Sequence, residues 1–368
     1  MNRKLATAIG AILVGGMTTA QADVTMFGHL DLSLNYIDGA SSPYVDRGDE
    51  DTRFECTTCS IGVKGSEDLG NGLKAVFKLD WQFDMDERKS SGAFTDRDQW
   101  LGLAGNFGSV KVGTISTTYK STGAKLDPGY RTIAQMRDVG IMSALHSGAG
   151  SNGEGRAENT ARYDSPSWNG LKFMAHYTLS KDGQVNCIPT DAAPCTKAAN
   201  DNGWGAGVTY ENGGLLVFGN YITNGSDGDA DAYKAGAKFT FNNFSVFGQY
   251  EVDGGMITNR YQNTLGTDSD GDGADFAMLG GSYSFGNNLI YAAYGMGEGT
   301  DATASELGLA SKDDANPFIG DDHASWEVVG VHMLSKRTLA YAGYVNVDFD
   351  AKGWDDIDHY TVGMKHKF

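Results

Sequence analysis

The chain lacks any apolar run long enough to cross a membrane as a helix, which needs about eighteen or more such residues. The stretch that comes nearest, residues 5–17, is short and interrupted by glycine. Proline is also scarce, at 6 of 368 residues, whereas there are 51 glycines, 17 tyrosines and 17 phenylalanines. This composition indicates many short strands joined by polar turns, and it argues against helical spans.

Basic residues are fewer than acidic ones. The chain has 29 lysines and arginines against 47 aspartates and glutamates, which gives a formal net charge of −18 at pH 7. Binding to nucleic acid requires a basic footprint, so we expect no nucleic-acid partner. The excess of acid is the pattern of a solvated surface.

The start of the chain has the features of a secretory signal peptide. Residues 2–4 are basic in character, residues 5–17 are apolar, and residues 20–22 read Ala-Gln-Ala, a small-residue cleavage motif. We therefore expect residues 1–22 to be removed on export and residues 23–368 to form one domain.

Cysteine is limited to four residues, which form two local pairs, Cys56 with Cys59 and Cys187 with Cys195. Export to an oxidising compartment predicts two short-range disulfides. A Cys-x-x-Cys can also be a redox motif or a zinc half-site, but no second pair lies at zinc spacing and no βαβ pattern surrounds it. We interpret both pairs as staples within loops.

The last stretch, residues 358–368, alternates between two faces when it is read as a strand. One face is mainly apolar and the other polar: Tyr360, Val362, Met364, His366 and Phe368 against Thr361, Gly363, Lys365 and Lys367. A chain that ends on an exposed phenylalanine needs an apolar medium for that face, so the strand predicts lipid on one side and water on the other. The alternative is an edge strand of a soluble sandwich.

Similar alternation recurs along the whole chain between turn signals. It predicts sixteen strands, at residues 24–37, 60–65, 73–85, 97–105, 109–116, 157–164, 171–180, 203–211, 215–223, 232–241, 244–252, 274–285, 289–297, 324–334, 338–349 and 358–368. An even number suits a barrel whose two ends lie on the same side of a membrane. We therefore predict an all-β fold, a 16-stranded antiparallel transmembrane β-barrel.

The connections between these strands alternate strictly in length. Tight turns stand at residues 106–108, 212–214, 242–243, 286–288 and 335–337, and long acidic loops at 38–59, 181–202, 253–273 and 298–323. Short turns on one side and long loops on the other are the pattern of outer-membrane barrels.

Several motifs resemble the general porins of Gram-negative outer membranes. Residues 61–77, with Ser-Glu-Asp-Leu-Gly-Asn-Gly at their centre, resemble the first turn of that family, and residues 362–368 resemble its closing strand. The resemblance implies a multi-pass protein of the outer membrane and a homotrimer of water-filled channels for passive diffusion of ions and small hydrophilic solutes, without a cofactor. It also implies that Phe368 is part of the signal read by the barrel-insertion machinery.

The connection between the fifth and sixth strands, residues 117–156, is long for a compact domain, which favours a functional loop. The resemblance implies that it folds into the barrel as a constriction loop. Residues 133–136 are expected to form one helical turn, and Asp-Pro-Gly at 127–129 reads as a turn. One departure from the family is Thr114, where an arginine that reaches the pore is usual.

Strand parity turns six basic side chains toward the lumen as a basic wall: Lys64, Lys74, Lys78, Arg156, Arg162 and Lys172. The resemblance implies opposing acids on the constriction loop, for which Asp127 and Asp138 are the candidates, although Arg131 and Arg137 lie beside them. The acids of the outer loops lie beyond the ~8 Å over which charge acts at physiological salt. We therefore expect a weak preference for anions.

Two other clusters suggest different functions. The acidic run from Asp268 to Asp272 resembles half of a calcium loop but has leucine at the twelfth position, so we expect no metal site. Asp321, Asp322, His323 and Ser325 suggest a hydrolase at the rim, but spacing alone reveals no oriented set. We expect no enzyme activity; a solute-specific channel, or a hydrolase or adhesin on the same barrel, are the alternatives.

Overall fold

The computed structural model describes residues 23–39, 50–86, 94–146, 155–179, 202–223, 230–262, 273–305, 307, 309, 311–312 and 315–368. Cys187, Cys195 and the acidic run at 268–272 lie outside these residues. Among the helices of the described part, none is long and apolar enough to span a membrane.

The described residues form strands and a few short helices. The strands are β1 (Asp23–Asp38), β2 (Glu50–Glu55), β3 (Ser60–Gly70), β4 (Leu73–Gln82), β5 (Thr95–Gly105), β6 (Gly108–Ser116), β7 (Arg156–Asp164), β8 (Leu171–Thr178), β9 (Gly203–Asn212), β10 (Leu215–Thr223), β11 (Asp231–Phe241), β12 (Phe244–Gly254), β13 (Phe276–Phe285), β14 (Asn288–Gly297), β15 (His323–Met333), β16 (Thr338–Phe349) and β17 (Ile357–Lys367). The helices are α1 (Thr118–Gly123), α2 (Met256–Gln262), α3 (Pro317–Gly320) and a 3-10 turn at Ala144–His146.

From β3 to β17 each strand pairs antiparallel with its neighbours in sequence, and β1 pairs with β17, so the sheet closes on itself. β2 and β3 both pair with β1, opposite residues 33–38 and 23–29 respectively. They are therefore two parts of one barrel strand, interrupted at residues 56–59. The fold is a closed 16-stranded antiparallel barrel, as predicted. The segment Glu50–Glu55 was expected to be loop, because its acidic sequence hides the alternation.

The closure is anchored at the last residue. The amide of Phe368 donates to the carbonyl of Gly28, and the amide of Gly28 donates to the carbonyl of Phe368, both at 3.1 Å. The Phe368 ring packs directly over Gly28, where a Cβ atom would lie 2.4 Å from the ring. Glycine at this position lets the terminal ring lie flat against the first strand.

The predicted tight turns all join strands at one end of the barrel. In the β3–β4 turn Asn71 and Gly72 both have positive φ, at 53° and 76°. Two adjacent positive φ values match the twist of paired strands, which is why Asn-Gly is favoured here.

Side-chain exposure is reversed relative to a soluble protein. On β1 the outward side chains Val24 and Met26 are 58% and 62% exposed, whereas the inward Asp31 and Asn35 are fully buried. Large apolar side chains are likewise exposed on β5, β11, β12 and β17. The barrel thus presents its apolar face outward and its polar face inward, as a lipid-embedded barrel requires.

A disulfide joins Cys56 and Cys59 at the break between β2 and β3, as predicted. The break stays within the sheet, because the carbonyl of Cys59 accepts from the amide of Phe83 at 3.0 Å. Cys59 is fully buried. The disulfide thus closes a four-residue detour in a barrel strand, facing the interior.

Replacing Cys56 and Cys59 together by alanine should lower stability by about 2 kcal/mol, since the closed loop is very short, and should leave the barrel intact. Backbone ladders, not the disulfide, hold the strands together. Thermal unfolding in detergent, followed by circular dichroism, checks this, with Thr57→Ala as the control in the same detour. Loss of strand signal in the double variant would contradict it.

Candidate functional site

Residues 117–146, here called the inner segment, run along the inner wall of the barrel. α1 begins the segment, and the Thr117 side chain caps it by accepting from the amide of Lys120 at 3.2 Å. Arg162 of β7 holds the same end, because its Nη1 donates to the carbonyl of Ser116 at 2.6 Å and to the hydroxyl of Ser121 at 2.9 Å. One residue of the predicted basic wall therefore anchors this segment.

A second anchor is a fully buried polar cluster against β11 and β12. Glu251 accepts from the Tyr119 hydroxyl at 2.7 Å and from the amide and hydroxyl of Ser143 at 3.1 and 2.7 Å. Lys234 donates to the carbonyl of Tyr119 at 2.7 Å and also contacts His146. The two ends of the inner segment therefore meet at one buried site, where the carboxylate and ammonium charges are both solvated by protein groups.

Further contacts join the middle of the inner segment to other strands. Lys365 of β17 donates to the carbonyl of Tyr130 at 2.6 Å, and Tyr291 of β14 donates to the carbonyl of Ala134 at 3.4 Å. The His323 ring of β15 lies 3.1 Å from the carbonyl oxygen of Gly140. The segment is thus tied to inward-facing side chains on many strands. The expected helical turn at 133–136 is wrong; the helix of this segment is α1.

The predicted basic wall is partly neutralised by acids of the wall itself. Lys78 contacts Asp80 at 3.2 Å and Asp98 at 2.9 Å, and Arg156 contacts Asp98 at 3.0 Å. In the same way Arg162 contacts Asp164 at 2.7 Å. Asp80 alternates with Lys78 on β4 and Asp164 alternates with Arg162 on β7, so the strand parity that selected these bases also selects both acids, whereas Asp98 stands on β5.

The remaining three predicted bases lie in open positions. Lys64, Lys74 and Lys172 are exposed. The ammonium groups of Lys64 and Lys78 both lie over the Phe27 ring, 5.4 Å from its centre. This contact confirms that Lys64 and Lys78 share the inward face, whereas the functional role of all six bases stays a prediction.

A β-bulge turns Arg97 inward, which parity alone does not predict. Leu79 pairs with Gln99, whereas Trp81 pairs with Asp96, so that Asp80 stands opposite two residues of β5, Arg97 and Asp98. A bulge of this kind places both residues on the same side of the sheet. Arg97 consequently contacts Asp80 at 3.4 Å, and Asp98 contacts Lys78 and Arg156.

The bulge places Arg97 in a cationic cluster, defined as Arg97, Lys120, Arg131, Arg137 and Arg156. The guanidinium groups of Arg131 and Arg137 lie 5.5 and 5.1 Å from the centre of the Tyr130 ring. Burial lowers the pKa of Lys120 well below its usual value, and the charges of Arg156, Arg137 and Arg97 lower it further. Burial raises the pKa of Tyr130, but Arg131, Arg137 and Arg97 outweigh that effect and the net shift is downward. The downward shift at Tyr130, against the effect of burial, reports a positive local potential.

The two candidate loop acids lie in different surroundings. Asp127 is buried and accepts from the amide of Met136 at 3.1 Å, so its carboxylate fixes the fold of the inner segment. Asp138 is 29% exposed at its side chain, lies 3.6 Å from Arg137, and accepts from the Gln135 amide. The acids that contact the basic wall are those of the barrel strands. A channel role for Asp127 and Asp138 stays a prediction.

The residues that suggested a hydrolase do not converge. His323 and Ser325 point inward and are buried, whereas Asp321 and Asp322 are exposed. Asp322 accepts from the amide of Gly299 at 3.0 Å. Within the described ranges, no three His, Cys, Asp or Glu side chains are arranged to hold a metal ion.

Comparison with known proteins gives consistent results. Residues 6–352 match the family model described as Gram-negative porin. Outer membrane porin protein 32 of Delftia acidovorans is 26% identical over 99% of this chain and 95% of that protein. The anion-selective porin from Comamonas acidovorans superposes with a TM-score of 0.69 at 22% identity, covering 95% and 100% of the two chains. A trimer form of OmpT from Vibrio cholerae gives 0.60 at 16% identity, covering 94% and 99%.

Asp127 predicts a pH dependence of the inner segment. Burial raises its pKa from 3.8 to about 7, against the opposing charge of Arg137. A raised pKa means that the inner segment is docked most stably when the Asp127 carboxyl is protonated. The stability that comes from this protonation is lost as the pH rises toward about 7. Amides of residues 127–142 should exchange hydrogen faster at pH 8 than at pH 5, after correction for intrinsic rates. The free energy of local opening derived from these rates should be lower at pH 8 by on the order of 2 kcal/mol.

Asp127→Asn should remove most of this difference, because the neutral amide does not titrate. Hydrogen exchange measured by mass spectrometry checks it. Asp355→Asn, an exposed carboxylate remote from the segment, is the matched control and should leave the difference unchanged. An equal pH effect in wild type and Asp127→Asn would assign it to another group.

Proposed function

This chain belongs to the Gram-negative porin family and forms a channel for passive diffusion across the outer membrane, and on that basis we propose how its lumen is narrowed and charged. The inner segment narrows the channel, because it is tied to opposite parts of the wall at Arg162, Glu251 and Lys365. Water fills the remaining lumen, and fixed charges on its wall bias the passage of ions.

The cationic cluster is the observation that favours anions. It gathers five basic side chains that act on one another, three of which also act on Tyr130, and the wall acids beside it are Asp80 and Asp98. The similar porin from Comamonas acidovorans is described as anion-selective. The preference is weak, because Asp80 and Asp98 offset part of the charge.

The net charge of the chain acts in the opposite direction and over a longer range. Formal charge is −18, and many acids stand in the outer loops. At physiological salt their field decays within about 8 Å. At low salt it extends further and concentrates cations at the channel mouth, so the preference for anions should weaken as salt is lowered.

Three further features of the biology are proposals. Residues 1–22 direct export and are removed. The barrels assemble as homotrimers, in line with the trimer form recorded for the similar OmpT. Phe368, whose backbone and ring both close the sheet against Gly28, is part of the signal read by the barrel-insertion machinery.

Removing a cluster arginine should reduce the preference for anions. Arg97→Ala or Arg156→Ala should shift the reversal potential across a salt gradient toward cations, by no more than a few-fold in permeability ratio, since unit charges ~4 Å apart in water interact by about 1 kcal/mol. Planar-bilayer recordings measure this. Arg337→Ala, on a tight turn, is the matched control.

Strong cation preference at high salt, unchanged in Arg97→Ala and Arg156→Ala, would refute the role of the cationic cluster and leave the channel function intact. Absence of stepwise conductance in the unmodified protein would instead refute the channel.

Deleting Phe368 should impair assembly in cells more than folding in vitro. The remaining β1–β17 pairs still close the barrel, whereas the terminal signal is lost. The expected result is a lower fraction of heat-modifiable barrel in outer-membrane preparations and a nearly normal yield after refolding in detergent, with Lys367→Ala as the control. Equal loss in both assays would make Phe368 a purely structural residue.

A further inference from the structure

A cavity of about 180 Å³ lies between the inner segment and the barrel wall, toward the long-loop end. Four aliphatic side chains form most of its floor, Ile37 of β1, Val345 and Val347 of β16, and Ile357 of β17, and the His359 ring of β17 lies among them. These four side chains point inward and are no more than 7% exposed. Ile37 and Val345 both stand opposite His359, and Val347 stands opposite Ile357, so the four form one patch across three strands.

An apolar patch is unusual on the inner face of a water-filled barrel, where polar side chains normally line the lumen. The patch is covered only in part. Ile133 and Val139 of the inner segment and Phe318 of α3 approach it, and the cavity remains between them and the floor. An apolar cavity of about 150 Å³ holds a benzene ring, so this one accommodates a single ring with a short chain.

The rim of the cavity carries charge, and acid predominates there. Arg53, Glu55 and Asp138 line it. Arg53 is held between Asp51 at 3.0 Å and Glu55 at 3.2 Å, so its charge is already compensated. The carboxylates of Glu55 and Asp138 remain 26% and 29% exposed at their side chains.

Among the side chains that line the cavity, the carboxylates of Glu55 and Asp138 outnumber the guanidinium group of Arg53, which leaves one negative charge in excess. Arg137 lies 3.6 Å from Asp138 but outside this lining. A cation is the head group that this rim would favour.

We propose that this cavity binds small amphipathic cations, with an aromatic ring or short alkyl chain on the apolar floor and an ammonium group at Glu55 and Asp138. The occupant would touch both the inner segment and the wall, so that it would also reduce the current through the channel. The part of the proposal that concerns current rests on the proposed narrowing of the lumen; the part that concerns binding does not.

The first test uses the unmodified, purified protein in detergent and three probes. Binding is measured by ligand-observed NMR for 2-phenylethylammonium, for ethylammonium, which has the head without the ring, and for phenylacetate, which has the ring with the opposite charge. Only 2-phenylethylammonium should bind. Equal binding of ethylammonium would overturn the role of the apolar floor, equal binding of phenylacetate would overturn the charge argument, and no binding would overturn the proposal.

The second test locates the site with variants. Asp138→Asn should weaken 2-phenylethylammonium binding by about tenfold, the effect of losing one charge-assisted contact. Val345→Thr, which keeps the shape of the floor but makes it polar, should also weaken binding. Val329→Thr is the matched control, since Val329 is equally buried but lines a different cavity. Unchanged affinity in both Asp138→Asn and Val345→Thr would place the probe elsewhere and refute the site.

Bilayer recordings then separate the two levels of inference. If 2-phenylethylammonium binds by NMR but does not reduce the current of a conducting channel, the proposed contact with the conducting path is wrong. A protein that binds the probe but conducts nothing would contradict the channel function and leave the cavity assignment standing.

Discussion

The structure depends on one constraint, which is that a backbone in hydrocarbon must satisfy its hydrogen bonds internally. The closed ladder does this, because β1 pairs with β17 and leaves no edge. Once the backbone is satisfied, the side chains divide by parity. Apolar ones face outward, as with Val24 and Met26, and polar ones such as Asp31 and Asn35 are held inside. The interior then has the polarity needed for a water-filled channel.

The barrel was predictable because its signals are local. Alternation marks each strand, and the pair Asn71 and Gly72 fixes its own turn through two positive φ values. The inner segment was less accessible, because its fold is set by residues distant in sequence. Glu251 and Lys365, for example, hold Ser143 and the Tyr130 carbonyl from strands far along the chain. Nothing in the local sequence of residues 117–146 predicts those contacts.

The charged lining shows where parity fails. Lys78 and Arg156 both contact Asp98, a partner that the sequence analysis missed. The bulge opposite Asp80 turns both Arg97 and Asp98 inward, which strict alternation forbids. A single inserted residue thus adds the cation Arg97 to the lumen at the level of Asp98. Counting only the bases on the inward face gives a basic wall, whereas the structure has an ion-pair network beside a cationic cluster.

The pairing of the first strand with the last has a consequence for biogenesis. Because Gly28 and Phe368 exchange hydrogen bonds, the seam joins segments separated by nearly the whole chain, and contacts of such sequence separation form slowly. The sheet therefore stays open until the final strand has been delivered. Throughout that interval β1 presents a free edge and an apolar face to water, the condition under which strands aggregate. A chain of this design is therefore most prone to aggregate before its last strand is in place, whatever solutes its finished channel admits.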